Sequence, residues 1–324
     1  MKQILVIGLA ILMAGCLGSE DGSDTGSGQT AVAPTGFLSG VTYDSSKVNL
    51  DMLSQPQFEV LQEQEWVTMS DGQRMDNHVF RPDADGTFPV FINFSPYWGN
   101  TAELGGDNFA KYLVDNFVPR GYVVVLSALR GTGHSEGCFE IASDREVQDL
   151  YEVIDHYGAA PYSNGNVAAG GKSYDSTTQN GLIAKMPHPA LKGLFHVSGI
   201  TDMYRYNLKD GVPSINGLAF TPRYYVTQTF DETLTSDPLD LTPNMLLRTV
   251  DDVACPEAVE HIAHGEAAAV TGIKTDYWQE REWTEFIGDS DWDGSIFFVH
   301  GFQDWNVKPD NILPWLQNLP EDIH

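Results

Sequence analysis

The stretch Asn166-Val167-Ala168-Ala169-Gly170-Gly171-Lys172-Ser173-Tyr174 decides how the chain is read. Asn166 to Gly170 is small and apolar, as a short buried strand requires, and Tyr174 to Lys185 reads as a helix. A serine between a strand and a helix can sit on a sharp, strained bend that lifts its hydroxyl above the sheet edge. Residues around such a bend must be small, because the two backbones approach closely. Gly171 meets this two positions before Ser173, whereas Asp175 stands two positions after it, where glycine is usual. Ser173 is therefore the candidate nucleophile. A serine capping a helix N-terminus fits Gly-Lys-Ser as well. A phosphate loop is excluded, since no glycine lies five positions before Gly171.

Outward from this turn, strands and helices alternate. Phe58 to Met69 and Asn77 to Arg81 read as two strands joined by the turn Ser70-Asp71-Gly72, and Phe88 to Phe94 as a short buried strand. Tyr122 to Ser127, Leu191 to Val197 and Ser295 to His300 are further strands. From Arg145, apolar Val147, Leu150, Tyr151 and Ile154 recur at helical spacing, and Ser143 with Glu146 has the pattern of a capping box. A last helix is expected over Val307 to Leu319. Such alternation implies right-handed crossovers and a mostly parallel sheet, an α/β fold with its chemistry just past the carboxyl ends of the strands.

Composition narrows the partners. The chain has 324 residues and 42% hydrophobic content, enough for one large core or two modest ones. Its 18 Lys+Arg stand against 45 Asp+Glu, a formal charge of −27, which repels a nucleic-acid backbone. Met1-Lys2 followed by apolar Ile4 to Ala14 reads as an export signal too short to span a bilayer. Ser19 to Thr30, rich in Gly, Ser, Asp and Thr, reads as a flexible tether. Beyond Cys16, only Cys138 and Cys255 remain, and one disulfide or two free thiols fit equally. No CxxC or metal-ligand spacing occurs, so neither a metal nor another cofactor is expected.

Two other turns test the acyl-transfer idea, because an oxyanion needs donors and an imidazole needs a carboxylate. The backbone N–H of Tyr174 is one donor. The loop after Phe88 to Phe94 reads Ser95-Pro96-Tyr97-Trp98-Gly99, where the Tyr97 hydroxyl can be the other. After the strand Ser295 to His300 comes Gly301-Phe302-Gln303-Asp304-Trp305-Asn306, and Asp304 is the candidate triad acid; an aspartate capping the next helix is the plainer alternative.

Together, Tyr162-Ser163-Asn164-Gly165-Asn166-Val167, Gly171-Lys172-Ser173-Tyr174 and Asp304-Trp305-Asn306-Val307-Lys308 resemble the X-prolyl dipeptidyl-peptidase family of serine hydrolases, a group that includes cocaine-esterase-like acylesterases. Arg130 to Gly137 is similar to the family's glycine-rich RGxGxSxG loop, and Tyr277-Trp278-Gln279-Glu280-Arg281 to a segment of its cap; the likeness runs from Phe58 to Leu319. It implies an α/β-hydrolase fold with a mostly parallel central sheet and an inserted helical cap. It also implies Ser173 as nucleophile, Asp304 as acid, Tyr97 with the Tyr174 amide as oxyanion hole, and no cofactor. Met13-Ala14-Gly15-Cys16 resembles a lipoprotein lipobox, which makes Cys16 a lipid anchor on the outer face of the cell membrane.

The expected organisation is a signal with lipobox over 1–16, a tether over 17–36, hydrolase core over 37–200, cap over 201–290 and the second part of the core over 291–324. Two departures stand out. Ser176 replaces a family glycine three residues after Ser173. The triad histidine should follow Asp304 by a helix and a strand, and the only histidine after Asp304 is His324, directly behind the helix; the expectation is that the catalytic histidine lies beyond it. His300 reads as a core or supporting residue, and His134 is out of order for the triad. A dipeptidyl-peptidase also needs a carboxylate for the substrate ammonium, for which Asp202, Asp210, Asp231 and Glu232 are open candidates. The leading reading is release of N-terminal Xaa-Pro dipeptides through an acyl-enzyme. The rivals are an acylesterase or amide hydrolase acting on unblocked or blocked substrates alike, and a surface binding lipoprotein without turnover.

Overall fold

Strand sequences dominated by apolar residues are buried on both faces, and the centre of the sheet is built from two of them. In Phe88–Ser95, residues Val90, Ile92 and Phe94 pack into one core while Phe91 packs into another on the opposite face; Val123–Ala128 divides likewise, Val123 and Val125 against Val124 and Leu126. The structure is a computed structural model describing residues 54–97, 108–209, 212–214, 256–321 and 323. These lie within one compact unit, Ser54–His324.

The strands are β1 (Val60–Thr68), β2 (Arg74–Pro82), β3 (Phe88–Ser95), β4 (Val123–Ala128), β5 (Ser163–Lys172), β6 (Leu191–Val197), a short ribbon of β7 (Leu208–Lys209) and β8 (Val212–Pro213), and β9 (Ser295–Val299). The main sheet has the order β1-β2-β4-β3-β5-β6-β9. From β4 to β9 every pairing is parallel, while β2 runs antiparallel to both its neighbours. The helices are α1 (Asn108–Phe117), α2 (Asp144–Gly158), α3 (Thr178–Lys185), α4 (Met203–Asn207), α5 (Pro256–Thr271), α6 (Asp276–Glu280) and α7 (Pro309–Gln317).

The larger core holds Val147, Leu150, Val153 and Ile154 of α2 with Leu182 and Ile183 of α3, and the smaller holds Ala110, Leu113 and Val114 of α1, so the sheet is covered on both faces. The chain leaves β3 for β4 on one side and reaches β5 on the other. The carboxyl ends of β3 and β5 therefore flank a topological switch point, where α/β sheets open a crevice.

Several expected boundaries move. Leu191–Val197 falls where it was expected, while β5 runs from Ser163 to Lys172 rather than from Asn166 to Gly170. The helix expected over Tyr174 to Lys185 is broken into a 3-10 turn, Ser173–Ser176, and α3, which starts only at Thr178. The last helix starts at Pro309 rather than Val307, since proline suits the first helical turn. Half of the capping box forms: Ser143 Oγ accepts the Glu146 N–H at 3.2 Å, whereas the Glu146 carboxyl takes the Ala142 N–H at 3.1 Å in place of that of Ser143. Among the described residues no helix is long and apolar enough to cross a membrane. Cys16, Cys255, Asp210, Asp231, Glu232 and His324 lie outside the described residues.

Candidate active site

Ser173 adopts φ 63°, in the left-handed region that costs a non-glycine residue about 1–2 kcal/mol. It directly follows β5 and is half-buried, the strained strand-to-helix bend expected of it. The glycines before it are required by space. A Cβ on Gly170 would meet the Phe195 carbonyl oxygen at 2.0 Å, and one on Gly171 would meet Asn93 Nδ2 and Asp175 Cβ, both at 2.4 Å. Asp175 is buried at 4% exposure. Beside it, Asn93 Nδ2 donates to the Gly170 carbonyl at 2.8 Å and approaches Asp175 Oδ2 at 3.4 Å.

Ser176, in the place of the family glycine, is buried and bridges two strands. Its Oγ donates to the Gly171 carbonyl of β5 and accepts the Val197 N–H of β6 at 3.1 Å. The hydroxyl thus closes the base of the bend. Asn180 Nδ2 adds bonds to the Ser176 carbonyl at 2.9 Å and the Ile200 carbonyl at 3.0 Å.

Tyr174 turns its side chain inward and is wholly buried, leaving only its amide for the turn. Tyr97 stands two residues past β3, half-buried, its ring against the main core and its N–H donating to Ser95 Oγ at 3.0 Å. Asp304 lies in the turn after β9. Its Oδ1 accepts the N–H groups of Asn306 at 2.9 Å and Val307 at 3.0 Å, and the N-cap of α7 is Lys308, so the aspartate closes its own turn rather than capping the helix. Tyr206 Oη donates to Asn306 Oδ1 at 2.8 Å, and His300 Nε2 donates to the Val307 carbonyl at 2.8 Å. His300 thus ties the end of β9 to the turn that holds Asp304. His134 Nδ1 faces Asp76 Oδ2 at 3.2 Å and is spent there.

Of the acids considered for a substrate ammonium, Asp202 is buried and is the N-cap of α4, its Oδ1 accepting the Arg205 N–H at 2.8 Å. Burial raises its pKa, against the hydrogen bond and nearby cations. Glu282 at the start of the α6 exit pairs with Lys274. Cys138 is disulfide-bonded, and its partner is not among the described residues. No cluster of three or more metal-binding side chains occurs among the described residues.

Fold and bend together define an α/β hydrolase. Residues 71–324 match the profile of the X-Pro dipeptidyl-peptidase (S15) family, and the chain belongs to that family. A Streptococcus pneumoniae Xaa-Pro dipeptidyl-peptidase is 28% identical over 235 residues, covering 67% of this chain and 29% of its own. A Bacillus anthracis relative is 27% identical over 281 residues, covering 77% of this chain and 44% of its own, so the chain spans less than half of the curated relatives it matches. Among solved structures, a CocE/NonD family hydrolase from Staphylococcus aureus superposes with a TM-score of 0.55 at 23% identity, covering 75% of this chain and 46% of that one. An aminopeptidase from a marine sediment thaumarchaeon gives 0.56 at 20% identity, covering 80% and 46%. These likenesses carry the fold.

Proposed function

We propose that the protein is a serine hydrolase that releases N-terminal Xaa-Pro dipeptides through an acyl-enzyme. The observation that carries the reading is the left-handed Ser173 at the end of β5, beside the switch point. In it, Ser173 Oγ attacks the carbonyl carbon after proline while an imidazole takes its proton. The oxyanion is held by the Tyr174 N–H and the Tyr97 hydroxyl, each worth roughly 3–4 kcal/mol in the transition state. The imidazole then protonates the leaving amine, and water repeats the cycle on the acyl-enzyme. Asp304 Oδ1 is engaged by its own turn, so Oδ2 is the atom that orients the imidazole.

None of the described histidines is hydrogen-bonded to Asp304, and the reading leaves the source of the imidazole unassigned. In the same reading the chain is exported and held at the outer membrane face by lipid on Cys16; loss of acyl-probe labelling in Cys16→Ser checks this.

The test is hydrolysis of Ala-Pro-p-nitroanilide by the full-length protein. Ser173→Ala should reduce it by at least about 10⁴-fold with the fold intact; retained turnover refutes the serine mechanism. A second reading, an acylesterase or amidase indifferent to a free amine, is favoured by the engagement of Asp202 and Glu282 elsewhere. An N-blocked Ala-Pro-anilide separates the two, since only the second enzyme tolerates the block. Absence of turnover on either leaves the binding-protein reading.

A further inference from the structure

Behind the bend lies a buried polar junction that acyl transfer itself does not use. Tyr174 Oη donates to Glu146 Oε2 at 2.7 Å and accepts the Ala142 N–H at 2.6 Å, and the same N–H reaches Glu146 Oε2 at 3.1 Å. Both Glu146 and Tyr174 are fully buried. The loop beneath is itself strained: Ile141 and Ala142 take φ 53° and 61°, two successive left-handed non-glycine residues that persist only where their surroundings hold them. Arg281, just past α6, donates from Nε to the Ile141 carbonyl at 2.9 Å and from Nη2 to the Glu140 carbonyl at 3.1 Å. The Phe139 ring packs on Tyr174 at 5.5 Å.

These contacts clamp the far end of the side chain whose own amide follows Ser173. A peptide N–H can be aimed at a developing oxyanion only if its plane is fixed, and a left-handed serine relaxes unless its neighbours resist. The immobilised Tyr174 ring supplies that resistance. We propose that Glu146 is a positioning residue, holding the Ser173–Tyr174 peptide in its acyl-transfer orientation through the Tyr174 hydroxyl. This rests on the serine-hydrolase reading above.

The chemistry of the junction sets its pH range. Burial pushes the Glu146 carboxyl up to about 8, with a smaller push from Glu140 and an opposing pull from the Tyr174 hydroxyl, the Ala142 N–H and Arg281; Tyr277 also faces the group. At neutral pH Glu146 is therefore a neutral acid whose Oε2 accepts both donors. Its Oε1 makes no hydrogen bond, so ionisation would leave part of a buried charge unsolvated. Above about pH 8 the junction therefore carries a buried charge with Oε1 unpartnered, and the setting of the Tyr174 ring becomes pH-dependent there.

The experiment is the rate at which a fluorophosphonate probe labels Ser173 in the full-length protein, with the maximal rate and the half-saturating concentration separated. Tyr174→Phe and Glu146→Ala should each lower the maximal rate about tenfold and leave half-saturation within about twofold. Glu146→Gln should recover most of that loss and remove the alkaline limb that begins near pH 8 in the wild type. Maximal rates within twofold of wild type in both variants, or an unchanged alkaline limb in Glu146→Gln, overturn the positioning role alone. A wild type that the probe does not label, or that labels equally after Ser173→Ala, overturns the serine reading and the positioning role with it. If Glu146→Ala fails to fold, the pH limb of Glu146→Gln decides.

Discussion

Lys172 and Val299 end their strands in the same row of the sheet, each paired with Val197 of the strand between them. Two strand spacings separate them, about 10 Å. The residues that follow, Ser173 and His300, open the bend and the turn that holds Asp304. Continued three residues past the pair Ile92 with Ala169, the β3–β5 register brings the same row to Ser95, from which Tyr97 follows. Turns nearly 80 and 130 residues from one another in sequence thus leave one edge side by side.

That edge stores strain, and relieving it should stabilise the protein. Ser173→Gly accepts φ 63° at no steric cost, so thermal unfolding should rise by the equivalent of about 1 kcal/mol, less the extra entropy of an unfolded glycine. Activity falls with the hydroxyl. A variant less stable than wild type would show that the bend is not strained.

Glycines with positive φ should differ sharply in what they tolerate. Gly165 has φ 83° and open space, so Gly165→Ala costs only conformational strain, about 1 kcal/mol. Gly170 has φ 153° with the Phe195 backbone 2.0 Å from a new Cβ, and no side-chain rotation relieves that contact. Gly170→Ala should cost more than about 3 kcal/mol or abolish soluble expression. Equal urea midpoints for the two variants would contradict the packing described here.

Much of this architecture was legible in the sequence, and the limits are physical. Apolar runs such as Val123 to Leu126 announce a buried strand because burial on both faces favours apolar residues along its whole length. Ser173 was legible because a strand-to-helix bend demands small neighbours. The 3-10 break at Ser173–Ser176 was not, since nothing in residue types distinguishes a helix that starts late. Glu146 has a sufficient local explanation as a capping residue, and its bond to Tyr174, 28 positions away, leaves no local trace. Ser176 reads merely as small, while its hydroxyl joins β5 to β6. Asp202 reads as an acid available to substrate and is an N-cap.

The glycine-rich loop is tied down by charge. Arg130 Nε and Nη2 donate to Asp149 Oδ2 and Oδ1 at 2.5 and 2.8 Å, with Arg130 at 5% and Asp149 at 0% side-chain exposure. Asp149 Oδ1 also accepts Arg145 Nη2 at 2.6 Å, so removing Asp149 takes a partner from both arginines and leaves the buried Arg130 with Asp71 Oδ2 alone, at 2.9 Å. Asp149→Ala should cost about 3–5 kcal/mol, and Arg130→Met in the same chain should recover part of it. A loss under 1 kcal/mol in chemical denaturation would place the pair with ordinary surface bridges.

Acid should act on the molecule through His196. This side chain is buried between Phe298, at 5.2 Å, and Trp315, at 6.0 Å, with Asn180 Nδ2 3.2 Å from its Nε2. Burial, with a lesser push from His300, lowers its pKa from 6.5 to about 3. The unfolded chain therefore binds a proton through that window and the folded chain does not, so this stability is complete above pH 6.5 and drains as pH falls toward 3. The full drop is on the order of 5 kcal/mol. Glu146 runs the other way, its folded pKa raised from 4.5 to about 8, so its contribution is complete below 4.5 and is lost as pH rises to 8. In urea titrations from pH 4 to pH 6.5, His196→Gln should flatten the slope of unfolding free energy against pH. A slope identical to that of the wild type would assign the acid sensitivity to other groups.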